Sequence, residues 1–384
     1  MQDNYFFDES IPSPCFVIEE HSLLNNLTLM QRVQREAGVS IILAFKGFAM
    51  WKTFPIVRKY LSGCTASSLY EARLGYEEMK TKTHSYAVVY FDEEFDDMMK
   101  YSSHITFNSI AQYKHFKPRI DHSEEKISCG IRVNPEYSVV STDLYNPCSP
   151  GSRLGEVLSN FNGELPQGIE GLHFHALCES SSYDFENLLN AFIQKFDPFI
   201  SQLKWVNFGG GHLMTRKDYD VNHLIEVLKN FKKKYPNIEE VILEPGSAVA
   251  WETGVLISKV MDIHDCNGIK TLILDVSFTA HMPDTLEMPY RPKIVGASDP
   301  VAGKPTYRIG GTSCLSGDFM YEYSFDKEMN IGDRIVLLDM IHYTMVKTTM
   351  FNGVKHPSIA MWKTDNNLEI FRTFDYEDYR NKLC

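Results

Sequence analysis

Short apolar runs rich in β-branched residues recur between residues 40 and 244, and amphipathic segments separate several of them. Two of these segments, Tyr183–Leu203 and Val221–Tyr235, place their apolar residues on one helical face. Strands that alternate with helices pair in parallel, so eight such units predict an α/β fold with a closed (β/α)8 barrel of the TIM type. The predicted strands are Ser40–Lys46, Gly63–Ser67, His84–Val88, His104–Asn108, Ile127–Val133, Glu170–His175, Lys204–Phe208 and Glu240–Glu244.

The pattern changes after Val255, where strand-like runs follow one another with Gly, Pro and Asn between them. This spacing predicts a C-terminal antiparallel β-barrel or sandwich domain. The early run Pro14–Glu19 is also strand-like and is expected to join that domain, before a helix over His21–Ala37 leads into the barrel. The later strands are predicted at Val255–Ile263, Thr271–Asp275, Tyr307–Ile309, Arg334–Leu338, Tyr343–Lys347, Ser358–Trp362 and Leu368–Arg372.

These patterns predict three segments: an N-terminal strand in residues 1–19, the barrel in residues 20–254 and the β domain in residues 255–384. Within the barrel, Val133–Gly155 carries three prolines and two glycines and is predicted to be a long loop. A length of 384 residues is enough for about two domains.

Charge and composition indicate which partners the protein is not expected to bind and in which compartment it is expected. The formal net charge of −12 disfavours nucleic acid as a partner, because an acidic surface repels phosphate backbones. No apolar run approaches the ~18 residues of a spanning helix, so no membrane association is expected. The start MQDNYFFDES lacks the pattern of a signal peptide, and the eight cysteines form no CxxC pair. A cytoplasmic location is therefore expected.

Polar residues at the carboxyl ends of the predicted barrel strands are the candidates for chemistry, because barrels of this kind carry their active sites there. Lys46 closes the apolar first strand, and a desolvated lysine has a lowered pKa and can form a Schiff base. The alternative is a lysine that only reaches to the solvent at the rim. His173 and His175 alternate and share one face of the sixth strand, although either could be an ordinary core histidine.

The last two barrel strands add further polar features. Gly209, Gly210 and Gly211 follow strand seven, and their lack of side chains would let backbone N–H groups approach a phosphate, unless they form a plain turn. Glu244 closes strand eight and could hold a pyridine nitrogen protonated, or could simply cap a turn. Beyond the barrel, Cys314 lies in GGTSCLSGD and could donate a proton, although most free cysteines are small buried hydrophobes.

The order of these features resembles the alanine-racemase-like, fold-type III decarboxylases that depend on pyridoxal phosphate (PLP), a family that includes ornithine and diaminopimelate decarboxylases. The resemblance runs from about Pro12 to the end of the chain. Within the family, several stretches are similar to the carboxynorspermidine decarboxylase branch: LAFKGFA, GLHFHALCE, WVNFGGGH, LEPGSAVAW, AHMPDTLEMPYRP, GGTSCLSGDFM and IHYTMVKTTMFNG.

This resemblance implies a role for each matching residue. Lys46 would carry PLP as a Schiff base, His175 would stack on its ring, and Glu244 would pair with its ring nitrogen while also lying near the substrate. Gly209–Gly211 and Tyr343 would bind its phosphate. Cys314 would donate a proton from the neighbouring subunit of a homodimer with shared active sites. Substrate contacts are expected from His281, Asp284, Asp318 and Glu179.

Two departures separate the chain from ornithine and diaminopimelate decarboxylases. Ser247 stands where those enzymes have an arginine after EPG, and Leu177–Cys178 replaces their Gly-Ser. The expected activity is therefore decarboxylation of carboxynorspermidine, carboxyspermidine or both, giving norspermidine or spermidine in polyamine biosynthesis. The expected partner is this cationic, carboxylated triamine. Alternatives are a decarboxylase for diaminopimelate or another basic amino acid, and a non-catalytic PLP-binding or antizyme-inhibitor-like regulator, which would be expected to lose Lys46 or Cys314.

Overall fold

The computed structural model describes residues 5–140 and 145–384. The chain forms two compact units, one from the described residues up to Asn25 together with Ala250–Cys384, the other from Asn26–Val249. Strand β1 (Cys15–Glu19) is buried along its whole length. Helix α1 (Glu20–Ala37) follows it directly and buries residues three or four positions apart: Leu23, Leu27, Met30 and Val33.

The unit Asn26–Val249 contains the closed barrel. Its eight strands pair in parallel in chain order, and the last closes on the first where Ser40 is in register with Ile242. The (β/α)8 prediction is therefore confirmed, with each strand ending one or two residues before its predicted end. The strands are β2 (Ser40–Ala44), β3 (Gly63–Ala66), β4 (Thr83–Tyr86), β5 (Ser102–Phe107), β6 (Ser128–Arg132), β7 (Ile169–His173), β8 (Trp205–Asn207) and β9 (Glu240–Leu243).

Helices connect most neighbouring strands of the barrel. The exception is the stretch from β6 to β7, where the described residues form turns and one short 3-10 segment, as the loop prediction for Val133–Gly155 required. Residues 141–144 of that loop, like residues 1–4, lie outside the described part. The helices are α2 (Phe54–Val57), α3 (Leu69–Leu74), α4 (Phe95–Tyr101), α5 (Ile110–Asp121), α6 (Ser182–Ile200), α7 (Val221–Lys234) and α8 (Ser247–Ala250).

The interior of the barrel is filled by side chains rather than left open. Trp205 on β8 lies across Gly130 and Gly171 on the two preceding strands. A Cβ atom added at Gly171 would come within 2.0 Å of the indole ring, so only glycine leaves room for it. This layer blocks the centre of the barrel, so polar side chains at the two ends form separate groups.

The other unit is built on a nine-stranded sheet in the order β12-β14-β13-β11-β10-β1-β16-β17, with β15 beside β10. β1 belongs to this sheet, as expected for the run Pro14–Glu19. Short helices α9 (Phe278–His281) and α10 (Asp284–Glu287) and the terminal α11 (Tyr376–Leu383) complete the unit. The strands are β10 (Gly254–Cys266), β11 (Ile269–Leu274), β12 (Ala297–Ser298), β13 (Thr306–Gly310), β14 (Phe319–Phe325), β15 (Arg334–Leu338), β16 (Ser358–Trp362) and β17 (Leu368–Arg372).

This sheet differs from its prediction in three details. Two pairs, β1 with β16 and β11 with β13, are parallel, so the sheet is mixed rather than wholly antiparallel. The predicted strand Tyr343–Lys347 is a turn, because Tyr343 has a φ of 36° and its carbonyl accepts the N–H groups of Val346 and Lys347. Strands β12 and β14 were not predicted, although the four aromatic residues of β14 stand at every second position as in a strand: Phe319, Tyr321, Tyr323 and Phe325. No helix of the described residues is both long enough and apolar enough to cross a membrane.

Candidate active site

Lys46 lies in the turn that follows β2, at the end of the barrel where all eight strands finish. The turn is narrow because the loops after β2 and β9 touch: a Cβ atom at Gly47 would lie 2.7 Å from the Cα atom of Gly246. The Lys46 side chain is exposed at this mouth, and its Nζ atom lies 3.2 Å from Nε2 of His175. The local sequence FKG thus directs one amine into the mouth of the barrel.

The position of the proton on His175 follows from its second ring nitrogen. The backbone N–H of Gly210 donates to Nδ1 over 3.1 Å, so a neutral His175 carries its proton on Nε2. Burial, followed by the charges of Lys46 and Arg132, holds the pKa of His175 well below its ordinary value. The Nε2–H group therefore faces the Lys46 amine and can donate to it when that amine is neutral.

The Lys46 amine is itself held toward the neutral form. Its side chain reaches solvent at the mouth, but the protein atoms around it still remove part of the water that would hydrate the charged amine. This desolvation lowers the pKa of Lys46. The positive charge of Arg132 lowers the pKa further, while Glu244 and Glu71 oppose the shift. Because of this lowered pKa, more of the Lys46 amine is neutral at a given pH than for an ordinary lysine. The neutral amine is the nucleophile that attacks an aldehyde.

Glu244 follows β9 and is buried on the inside of the mouth. Its Oε1 atom accepts a hydrogen bond from Nδ2 of Asn207 over 2.7 Å, and its Oε2 atom lies 3.7 Å from Nε2 of His173. Burial raises the pKa of the Glu244 carboxyl group, against the hydrogen bond from Asn207 and the charge of Lys46. A buried carboxylate in this setting is stabilised by a cationic partner such as a protonated ring nitrogen.

The three glycines after β8 form a cradle that no other residue could form. Gly209 and Gly211 have φ values of 66° and 88°. A Cβ atom at Gly209, Gly210 or Gly211 would lie 2.5, 2.4 or 2.2 Å from a backbone carbonyl oxygen of a neighbouring loop. Backbone this close and free of side chains fits an anionic group such as a phosphate.

The sequence analysis missed two residues of this site. Arg132 ends β6, donates from Nη2 to the carbonyl oxygen of His175 over 3.0 Å and stacks on the ring of Tyr86 at 4.7 Å. Asn207 ends β8 and, besides holding Glu244, accepts the N–H of Gly209 over 2.8 Å. Both are polar residues at the carboxyl end of a barrel strand, so the rule that selected Lys46 and Glu244 could have found them.

Cys314 and Asp318 belong to the unit that contains Ala250–Cys384. Cys314 is exposed, and its N–H donates to Oδ1 of Asn352 over 2.7 Å. Asp318 is buried, and its carboxylate accepts three backbone N–H groups, from Phe278 at 2.6 Å, Thr279 at 3.2 Å and Ser313 at 2.9 Å. Asp318 therefore ties the turn before α9 to the loop that carries Cys314.

His281 and Asp284 belong to two successive short helices. His281 has no exposed surface, and burial, with His356 second, lowers its pKa to about 3. Oδ2 of Asp284 accepts from the hydroxyl groups of Thr344 at 2.8 Å and Tyr290 at 3.3 Å. Oδ1 of Asp284 is buried and has no hydrogen-bond partner among the described residues.

Two predicted residues have unusual backbone conformations. Tyr343 is partly buried with a φ of 36°, and Glu179 is exposed with a φ of 47°. The carbonyl of Glu179 accepts a hydrogen bond from Nη1 of Arg216 over 3.0 Å, which fixes this turn while its side chain faces solvent. The substrate contact expected of Glu179 and the phosphate contact expected of Tyr343 stay predictions.

At the carboxyl end of the (β/α)8 barrel, a lysine amine thus faces a histidine ring, beside three glycines and a buried glutamate. Residues 15–341 match the family model described as "Pyridoxal-dependent decarboxylase, C-terminal sheet domain". The chain belongs to this family of pyridoxal-dependent decarboxylases and is an enzyme.

The similar proteins within the family include enzymes of polyamine chemistry. The chain is 48% identical to carboxyaminopropylagmatine decarboxylase of Synechocystis sp., over 97% of this chain and 96% of that protein. It is 44% identical to carboxynorspermidine/carboxyspermidine decarboxylase of Campylobacter jejuni, over 97% and 99%. The crystal structure of carboxynorspermidine decarboxylase from Campylobacter jejuni, in complex with norspermidine, superposes with a TM-score of 0.89 at 41% identity, over 97% of this chain and 100% of that one.

Proposed function

We propose that this enzyme removes the α-carboxylate of carboxynorspermidine or carboxyspermidine as CO₂ and releases norspermidine or spermidine. The observation that carries the proposal is the grouping of Lys46, His175 and Glu244 at the barrel mouth of a chain that is 44% identical, nearly end to end, to a decarboxylase of these substrates. A non-catalytic regulator has no need for an amine held neutral beside a buried carboxylate.

The residues at the barrel mouth fit PLP. Lys46 would anchor its aldehyde carbon, His175 would cover one face of the ring, and Glu244 would meet the ring nitrogen. The Gly209–Gly211 cradle and Tyr343 would hold the phosphate. Bound there, PLP supplies an electron sink for the electron pair left behind when the carboxylate departs.

The chain's own groups then prepare and finish the reaction. Asn207 holds Oε1 of Glu244, so the carboxylate is fixed before any ligand arrives. Arg132 fixes the backbone of His175 through its carbonyl oxygen, and Gly210 fixes the ring through Nδ1. After CO₂ leaves, a proton must reach Cα, and we assign its delivery to the thiol of Cys314.

The triamine tail is cationic and requires carboxylates. Asp284 is the strongest candidate in its unit, because its Oδ1 atom is buried without a hydrogen-bond partner among the described residues. A buried unpaired carboxylate oxygen is costly, and an ammonium group would relieve that cost. His281, three residues earlier, is assigned to the same subsite, with Glu179 as a further acidic residue in the barrel unit.

A second candidate substrate is carboxyaminopropylagmatine, favoured by the 48% identity to the Synechocystis enzyme. Its tail ends in a guanidinium group, which pairs best with two carboxylate oxygens at once. Thr344 and Tyr290 already occupy Oδ2 of Asp284, which leaves one oxygen. A single oxygen suits the point charge of an ammonium group, so this geometry favours the triamine substrates.

We also propose a homodimer in which Cys314 completes the site of a second copy. Cys314 is exposed in the single chain, and large apolar side chains near it in the sequence are exposed too, including Leu315 at 47% and Phe319 at 44%. Exposed apolar surface of this kind is typical of an interface.

The direct test is a parallel assay of CO₂ release by the PLP-loaded enzyme from carboxynorspermidine, carboxyspermidine, carboxyaminopropylagmatine and diaminopimelate. We expect the highest kcat/KM with one of the two triamine precursors. A preference for carboxyaminopropylagmatine would move the assignment to the second candidate. A preference for diaminopimelate, whose tail ends in a zwitterionic amino acid, would contradict the proposal.

A further inference from the structure

A second group of titratable side chains lies at the opposite end of the barrel from Lys46. His84 is the second residue of β4, His104 the third of β5 and Glu240 the first of β9. One ligand atom from each of the three residues lies within 4.8 Å of the other two. Because β9 is four strands away from β5 in the eight-stranded ring, these side chains meet across the end of the barrel.

The two histidines are close and are held in the neutral form. Their rings stack with centroids 3.8 Å apart and an interplanar angle of 13°. Burial lowers the pKa of His84 well below its ordinary value, with the charge of His104 second, and burial also lowers the pKa of His104. A neutral imidazole is the form that binds a metal ion, since its second nitrogen keeps a free lone pair.

The three residues of this cluster do not satisfy one another's hydrogen-bonding atoms. Nδ1 of His84 is buried and has no hydrogen-bond partner among the described residues. No nitrogen–oxygen pair within 4.0 Å joins Glu240 to either histidine in that part of the chain. Glu240 and the two stacked rings therefore lie close together without hydrogen bonds between them among the described residues, and one polar atom is left without a partner.

Neighbouring hydroxyl groups orient two of the three side chains, as the outer shell of a metal site does. Oγ of Ser103 lies 3.0 Å from Nδ1 of His104, which leaves Nε2 of that ring for a ligand. Oγ of Ser40 donates to Oε1 of Glu240 over 2.7 Å and leaves the other carboxylate oxygen. Outer-shell partners of this kind fix the tautomer and the direction of metal ligands.

We propose that His84, His104 and Glu240 form a binding site for a divalent transition metal of the Zn²⁺ type, with water completing the coordination. Two imidazoles and one carboxylate are a donor set that Zn²⁺ accepts, and the single negative charge of the set suits a dication. Zn²⁺ bonds are about 2.0–2.2 Å long, and each imidazole binds a metal in the plane of its ring. Binding therefore requires the ligand atoms to draw closer together and one of the two stacked rings to rotate out of the stack. All three residues are partly exposed, so an ion can enter from solvent.

The ion would act on stability rather than on the chemistry at Lys46. It would tie β4 and β5 to β9 across the end of the barrel, and the layer formed by Trp205, Gly130 and Gly171 separates it from the mouth. A ligand that binds only the folded state raises the thermal midpoint in proportion to the logarithm of its concentration over its dissociation constant.

The test uses PLP-loaded enzyme without a histidine tag, stripped of metal by a chelator and titrated with Zn²⁺ in a calorimeter near neutral pH. We expect one ion per chain and a higher Tm with Zn²⁺. His104→Ala, His84→Ala and Glu240→Gln should each weaken binding at least tenfold and abolish the rise in Tm. His122→Ala is the matched control, since His122 is exposed and its ring nitrogen Nδ1 hydrogen-bonds the carbonyl oxygen of Pro118 in the helix that it follows.

Two further variants keep the result decisive. Ser40→Ala retains all three ligands and should still weaken binding by about 10–100-fold, the usual effect of an outer-shell partner, even if a ligand variant fails to fold. His175→Ala tests whether Zn²⁺ binds instead to the second set of potential metal ligands, which lies at the mouth: His173, His175 and Glu244. The proposal is wrong if wild-type enzyme binds no Zn²⁺ saturably, if binding survives His104→Ala, or if only His175→Ala removes it.

Discussion

The barrel mouth and the loops of the C-terminal unit use their polar residues in opposite ways. At the mouth, Gly210 fixes one ring nitrogen of His175 and Asn207 fixes one oxygen of Glu244, while the other nitrogen of His175 faces the Lys46 amine. In the other unit, Asp318 uses both carboxylate oxygens on backbone N–H groups of its own loops. Similar polar residues therefore leave atoms available for a ligand in one region and hold the backbone in the other.

The difference has a physical origin. Strand ends of a closed barrel are fixed by hydrogen bonds on both sides, so a side chain there can stay free for a ligand. Loops such as 311–318 lack that support, and a buried carboxylate supplies it by bonding several backbone donors. Substitutions at the mouth should therefore change the chemistry, and substitutions in these loops should change the order of the loops.

The largest effect is expected from Lys46→Ala. Without the amine the cofactor has no covalent anchor, so turnover should fall by on the order of 10³-fold or more. Far-UV circular dichroism and Tm should stay close to wild type, since Lys46 is exposed at the mouth. Lys52→Ala, at an exposed neighbouring lysine, is the control and should keep full activity. Substantial activity in Lys46→Ala would end the assignment of this site.

Glu244→Gln should have the next largest effect. The amide keeps the shape and one acceptor oxygen but loses the charge that pairs with a protonated ring nitrogen. A charge-assisted hydrogen bond contributes roughly 1.5–3 kcal/mol, so kcat should fall by about 10–100-fold. Cofactor content, measured by absorbance after release, should persist. An unchanged kcat would show that another group manages the ring nitrogen.

Asp284→Asn and Asp318→Asn should change different quantities, the first KM and the second Tm and kcat. Asp284→Asn removes the charge offered to the substrate tail, so KM for the triamine should rise by about tenfold while Tm changes little. Asp318→Asn replaces one acceptor oxygen with an NH₂ group that faces backbone N–H donors, so Tm and kcat should fall with KM nearly constant. If Asp318→Asn instead raised KM at constant Tm, Asp318 would be a substrate ligand, as the family resemblance implied.

The smallest effect is expected on the pH dependence of PLP binding to Lys46. The Arg132 charge lowers the pKa of Lys46, so Arg132→Met should raise that pKa and leave more of the amine protonated. The rate at which PLP recombines with cofactor-free protein should then reach its plateau at higher pH than in wild type. Arg132→Lys keeps a positive charge and should shift less. A plateau at lower pH in Arg132→Met would contradict the electrostatic role.

Sequence patterns predicted the barrel well because strand periodicity and placement along the chain are local properties. They also selected Lys46, His175 and Glu244, since each is a polar residue at the end of an apolar strand. They could not show how Asp318 is held, because two of its three backbone partners, Phe278 and Thr279, lie about 40 positions away. The strand prediction at Tyr343 was wrong, because the left-handed conformation of this residue is set by its surroundings and not by its β propensity.

The most direct test of the central claim is the location of the cofactor. PLP-loaded enzyme should be reduced with borohydride, digested and mapped by mass spectrometry, with Lys46→Ala treated in parallel. The account predicts a single phosphopyridoxyl label on Lys46, in the peptide that contains AFKGFA, and no specific label in the variant. A label on any other lysine of the wild-type enzyme, with Lys46 unmodified, would contradict it.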